Sequence, residues 1–282
     1  MELRSQLRRA ASHFASREAL VHGDRRFTFA GAWSRGVRLA NALADTGLRP
    51  GDKIATLEKN SIEAADIFLA AAIGNFVRVP LYARNRRESH AHMMRSTGCR
   101  LALVDAALRP EVAGLNEELP DLDRLIVRDA DYERWLDQAS DRDPDPAIKP
   151  DDLCVIRHTG GTTGAPKGVA YTHRSWMTIC AGFQAVGPRP DPGSTVLHVG
   201  PLSHASGFMF SPYWAIGGRN IMMDAFDPES FLEILARENV GYAFVAPTML
   251  NAIVHHGNPR GHAFPQLKCL RSASAPVSMA EA

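Results

Sequence analysis

Apolar and polar residues alternate along this chain in short blocks, and the period keeps switching between helical and strand-like. Leu3, Leu7, Ala10 and Phe14 recur at helical spacing with Arg4, Arg8 and Arg9 around them, which predicts an amphipathic first helix. Phe27-Thr28-Phe29 reads as a strand after the turn His22-Gly23-Asp24. Trp33, Val37, Ala40 and Ala44 mark one face of a helix that Gly47 can close. Ile54 to Leu57 predicts a strand, Ile62 to Ile73 a helix, and Phe76 to Val79 a strand. Residues 87–97 look helical, and short strands follow at Leu101 to Val104 and Leu125 to Val127. Further on, Leu153 to Ile156 is a strand, His173 to about Val186 a helix, and Val196 to Val199, Tyr242 to Val245 and Lys268 to Ser272 are strands. Asp227 caps a helix with Pro228 at its first position. Such alternation argues for an α/β fold with mainly parallel sheets flanked by helices. Residues 137–152, rich in Asp and Pro, read as a linker between a first α/β part, 1–136, and a second part, 153–282.

One run breaks the pattern: His158-Thr159-Gly160-Gly161-Thr162-Thr163-Gly164-Ala165-Pro166-Lys167-Gly168. Glycines let a loop turn sharply and bring backbone N–H groups close to an anion. Threonine hydroxyls can donate to phosphate oxygens, and lysine adds a mobile positive charge. A strand feeding such a loop is a plausible phosphate cradle, so a nucleoside triphosphate is the first ligand to consider. The run is not a Walker A sequence, because Lys167 follows Pro166 and precedes Gly168 rather than Ser or Thr. It is not a dinucleotide fingerprint either, since G-x-G-x-x-G is absent. Taken alone, it reads equally as a flexible glycine-rich surface loop.

With its flanks, Thr159 to Val169 followed by Thr172-His173 resembles the signature of the adenylate-forming family of acyl-CoA synthetases, adenylation domains and luciferase-like ligases. Other stretches resemble that family in order: Gly51-Asp52-Lys53-Ile54, Asn60-Ser61, Pro201-Leu202-Ser203-His204-Ala205-Ser206-Gly207, Val245-Ala246-Pro247-Thr248, and Leu270 to Pro276. The resemblance covers nearly the whole chain and implies its N-terminal large domain. The family's Tyr-Gly-x-Thr-Glu segment, ribose-holding Asp and C-terminal lid with a catalytic lysine have no counterpart here. No catalytic residue is therefore assigned, and weak or no turnover is expected from these 282 residues alone.

The resemblance implies a two-step reaction. A carboxylate attacks the α-phosphate of ATP to give an acyl-adenylate and pyrophosphate; a thiol, of coenzyme A or a carrier protein, then takes the acyl group. Thr159, Gly160, Gly161, Thr162, Thr163, Gly164 and Lys167 are implied to hold the phosphates with Mg²⁺, Thr163 being the candidate contact to the ion. His204, Gly207 and Phe208 are implied to line the acyl pocket, although Gly207 to Phe210 with Trp214 also fits a core helix. Ser274, Ala275 and Pro276 are implied to lie along the adenine; Ala273-Ser274 stands where the family has Gly-Gly. Amino-acid-activating members carry a Phe-Asp pair after the second signature, whereas Ala205-Ser206-Gly207-Phe208 holds no carboxylate. An ammonium would be unpaired in a dry pocket, so the expected substrate is a fatty or aryl acid without an amino group. The alternatives are a non-catalytic relative that binds a nucleotide or a partner, and a generic phosphate-loop hydrolase, for which no convincing residue set is found.

Composition narrows the classes. Hydrophobic residues at 45% and charged residues at 22% fit a globular chain with a sizeable core, and a net charge of +1 gives no case for nucleic acid. Cys99, Cys154, Cys180 and Cys269 show no metal or redox spacing and fit a reducing cytoplasm. His90-x-His92 and His255-His256 lack a third ligand and are expected to face solvent. The apolar run Ile67 to Ile73 is too short to span a bilayer.

Overall fold

The computed structural model describes residues 2–159 and 166–273. In chain order the first elements are α1 (Leu3–His13), β1 (Glu18–His22), β2 (Arg25–Thr28), α2 (Phe29–Asp45), β3 (Lys53–Leu57), α3 (Ile62–Gly74), β4 (Val77–Pro80) and α4 (Arg87–Thr97). Next come β5 (Cys99–Asp105), a 3-10 turn (Ala106–Val112), α5 (Leu115–Glu118), β6 (Arg124–Arg128), α6 (Tyr132–Gln138), β7 (Leu153–Thr159), β8 (Lys167–Thr172) and α7 (His173–Ala185). The remainder is β9 (Val196–His198), α8 (Gly207–Ala215), β10 (Asn220–Met222), α9 (Pro228–Arg237), β11 (Tyr242–Val245), α10 (Pro247–His256) and β12 (Cys269–Ser272).

Two units interleave in sequence. The first comprises Met1–Arg8, Ala32–Lys59 and Ala64–Thr178; the second comprises Arg9–Gly31, Asn60–Glu63 and Ile179–Ala282. Residues 137–152 lie inside the first unit, with no helix or strand between Gln138 and Leu153.

The sheet of the first unit runs β6-β5-β3-β4-β7-β8. Every neighbouring pair is parallel except β7–β8, which is antiparallel. The chain goes from β3 to β4 on one side and then crosses back to β5 on the other. A topological switch point thus opens beyond the C-terminal ends of β3 and β5. Ala55, Leu57, Val77, Val79 and Val104 from the strands bury against Met93 and Met94 of α4 and Leu115 of α5. Every position of β4 is buried, Arg78 included, as expected of a strand covered on both faces.

The sheet of the second unit runs β12-β11-β9-β10-β1-β2, again parallel apart from the β1–β2 hairpin. Its core gathers Leu197, Ile221, Ala243 and Val245 under Phe231 and Leu235 of α9. At the start of α9, Asp227 accepts from Ser230 N at 2.9 Å, the cap expected from sequence. Phe29 departs from expectation. It opens α2 instead of closing a strand, because its ring is fully buried against Trp214, 4.6 Å between centroids. Strands β1, β8 and β10 also went unanticipated.

Candidate active site

The phosphate-loop candidate belongs to the first unit. β7 brings Thr159 to its end, β8 begins at Lys167, and the antiparallel register sets Thr159 opposite Lys167 and His158 opposite Gly168. Thr159 Oγ1 donates to the Lys167 carbonyl at 3.5 Å. Both side chains are exposed, and Lys167 makes no ion pair with a described residue. An ammonium with no ion-pair partner among the described residues and a hydroxyl thus stand at the two roots of one loop. Gly168 is required for packing: a Cβ there would lie 2.9 Å from Ile156 Cγ2. The His158 ring is buried beside it, and burial holds its pKa below the ordinary value, with His92 pushing the same way. Gly160, Gly161, Thr162, Thr163 and Gly164 lie outside the described residues.

The acyl-pocket candidates belong to the second unit, where Pro201–Ser206 leads into α8. Asn60 fixes that segment. Its Nδ2 donates to the carbonyls of His198 and Gly200, each at 3.0 Å, and of Met223 at 3.3 Å, while Oδ1 accepts from Leu202 N at 2.9 Å. His204 is half-buried, its Nδ1 2.9 Å from Ser203 Oγ. Gly207 is buried, and a Cβ would sit 2.2 Å from the Leu202 carbonyl oxygen, so only glycine lets the helix start this close to the preceding backbone. Phe208 is half-buried, 5.9 Å from the Phe183 ring, which is 5.9 Å from that of Phe244. The Arg271 guanidinium stacks 4.5 Å over Phe183 and donates to the Val186 carbonyl at 3.0 Å, capping the end of α7. Along α8, Met209, Phe210, Tyr213 and Trp214 are all core, so Phe208 alone of its large side chains is left partly open.

Sequence reasoning missed His198. It is fully buried, with Nδ1 2.9 Å from Ser206 Oγ and Nε2 2.8 Å from Asn220 Oδ1. Burial drives its pKa down to about 4 against the opposing pull of those two partners. The ring is therefore neutral near pH 7 and tethers Ser206, directly before Gly207. Only residues brought together by β9 and β10 reveal this.

Ser274, Ala275 and Pro276 lie outside the described residues; β12, which leads to them, pairs in parallel with β11. No group of three or more His, Cys, Asp or Glu suited to a metal ion occurs among the described residues. His90 is not solvent-facing as expected: it is fully buried between the carbonyls of Tyr82, at 3.1 Å, and Glu111, at 3.3 Å. No helix among the described residues is long and apolar enough to cross a membrane.

Comparison with known proteins fits these features into one family. The family described as AMP-binding enzyme matches residues 7–282. A feruloyl-CoA synthase of Amycolatopsis sp is 32% identical over 261 residues, covering 92% of this chain and 51% of that protein. A long-chain-fatty-acid–CoA ligase of Thermus thermophilus is 29% identical, covering 94% of this chain and 50% of the relative. The chain thus spans about half the length of the curated relatives it matches. Among solved structures, the N-terminal domain of FACL13 from Mycobacterium tuberculosis superposes with a TM-score of 0.90 at 23% identity, covering 99% of this chain and 71% of the other. The identity to that structure speaks to fold, and the family match speaks to descent: this chain belongs to the AMP-binding enzyme family.

Proposed function

We propose that this chain is the nucleotide- and acid-binding part of an acid–thiol ligase that activates a fatty or aryl acid with ATP and passes it to coenzyme A or a carrier-protein thiol. The observation that carries this reading is the β7–loop–β8 unit, with Thr159 opposed to Lys167, which makes no ion pair with a described residue, at the roots of a Thr/Gly run. Membership of a family whose relatives include a feruloyl-CoA synthase and a long-chain-fatty-acid–CoA ligase supports it. In the first step a carboxylate oxygen bonds to the α-phosphorus as the bond from that phosphorus to the bridging oxygen breaks, and pyrophosphate leaves with the electron pair. Lys167 and Thr159, with Gly160, Gly161, Thr162, Thr163 and Gly164, hold the departing phosphates where negative charge grows. In the second step the thiol attacks the acyl carbonyl and AMP leaves. In this reading magnesium enters bound to the phosphates, with Thr163 the candidate protein contact.

On the acid side, Phe208 and the Phe183–Phe244 rings offer an apolar face, with His204 four residues before Phe208 in the chain. No carboxylate stands between Pro201 and Trp214 to neutralise an ammonium. Ser274 to Pro276 flank the adenine in this reading, and the reaction runs in the cytoplasm as part of fatty or aryl acid metabolism. The test is binding of non-hydrolysable acyl-sulfamoyl adenosines. Fatty-acyl or hydroxycinnamoyl forms should bind this chain more tightly than ATP and than aminoacyl forms. A preference for the aminoacyl compounds would overturn the substrate class, and failure of all of them would overturn the reaction.

A further inference from the structure

The two ends of the Thr/Gly loop are held by side chains from a single segment that no part of the reading above uses. That segment runs from the end of β4 into α4 and carries Tyr82 and His92. Tyr82 Oη donates to the carbonyl of His158, at the incoming root of the loop. The His92 ring places Nε2 3.0 Å from the carbonyl of Pro166, at the outgoing root. Both carbonyls lie where the described strand pairing runs out or is about to. β4 pairs with β7 at Arg78 and Val155 and stops at Pro80, so the His158 carbonyl lies past the end of that ladder. On the other side the last described β7–β8 pair is Thr159 with Lys167, next to Pro166. A buried backbone carbonyl near the end of a ladder is served by other donors, and here one segment supplies a donor to each root.

The platform carrying these donors is packed into the core of its unit. Ala91, Met93 and Met94 fix α4 on the sheet core, and the buried His90 ring touches the backbone carbonyl of Tyr82 itself. The two roots are therefore tied to one support as well as to each other. A loop that grips an anion works best when its ends cannot spread, because donors fixed in advance need no ordering when the ligand arrives.

We propose that Tyr82 and His92 form a clamp that sets the spacing of the loop's roots, making them positioning residues for the phosphate tail of ATP; this rests on the phosphate reading of the loop. The probes are inorganic tripolyphosphate, which presents only the tail, and MgATP. The variants are His92→Leu, His92→Gln, Tyr82→Phe and Lys167→Ala. His92→Leu and Tyr82→Phe should each weaken tripolyphosphate and MgATP binding by about three- to tenfold, the worth of one hydrogen bond. They should also speed trypsin cleavage after Lys167 while leaving the urea midpoint of the chain in place. His92→Gln, which keeps a donor, should recover most of both effects. Unchanged binding and cleavage in His92→Leu and Tyr82→Phe, beside weakened binding in Lys167→Ala, overturns the clamp and leaves the phosphate reading standing. Tail binding that Lys167→Ala does not weaken, or no tail binding by the wild type, removes the phosphate reading and the clamp's positioning role with it. Equal losses of urea midpoint and binding in all His92 variants, Gln included, would reduce His92 to a packing residue.

Discussion

Replacing Glu58 by Gln should stabilise this protein at alkaline pH and leave it nearly unchanged at acid pH. Glu58 follows β3 at the switch point and is 3% exposed. Neither carboxylate oxygen has a hydrogen-bond partner among the described residues. Arg128 has Nη2 4.0 Å from Glu58 and 3.8 Å from Asp105, both beyond hydrogen-bonding reach. Desolvation therefore dominates and lifts the carboxyl from 4.5 to about 7; Arg128 and Arg78 pull it down, Asp105 pushes it up, and Thr56 lies alongside. The unfolded chain loses this proton near 4.5 and the folded one near 7, so between those values the folded state holds more protons and stability falls as pH rises. At about 1.4 kcal/mol per pH unit, the cost of the ionised group is about 3 kcal/mol above pH 7, most of it acquired between pH 5 and 8. Glu58→Gln removes the ionisation and leaves Asp105 beside Arg128. Urea denaturation followed by tryptophan fluorescence at pH 5, 6, 7 and 8 reads the difference between variant and wild type. It should grow with pH to about 2–3 kcal/mol, or about 5 °C in a thermal melt. A difference that stays constant across the series, or is largest at pH 5, would refute the reasoning.

Two further perturbations test the segment that carries His204. Asn60→Ala removes four hydrogen bonds and leaves the buried Leu202 N–H unsatisfied, so it should cost about 2–4 kcal/mol in urea denaturation; a loss under about 1 kcal/mol would contradict the clamp-like role of this side chain. Gly207→Ala drives a Cβ into the Leu202 carbonyl, and the backbone has to shift, for about 1–3 kcal/mol. An alanine variant as stable as wild type would mean that α8 starts less tightly than described.

Much of the fold was legible because periodicity and caps are local. The Asp227–Pro228 start of α9 and the apolar blocks of β3, β4 and β5 needed no partner to be read. β8 escaped because it is an edge strand with its first four residues exposed, which erases the alternation that marks a strand. Phe29 was assigned to the wrong element because strand and helix meet at one residue whose burial depends on Trp214, far away in sequence. In the site, Thr159 and Lys167 were readable as chemistry, and the register that opposes them came from the structure. His198 and Asn220 left no trace in sequence, since their pairing is made by neighbouring strands. The close approach of Gly207 to the Leu202 carbonyl has no mark in the sequence, and no local pattern marks Glu58 as a buried charge.

The claim on which the rest depends is that the Thr/Gly loop grips the tail of ATP. Calorimetric titration of this chain with MgATP, wild type beside Lys167→Ala, addresses it most directly. Saturable binding should weaken by about tenfold or more on loss of one charge-assisted phosphate contact, with the urea midpoint unmoved. A wild-type chain that takes up no MgATP, or a variant that takes it up equally well, would contradict the account.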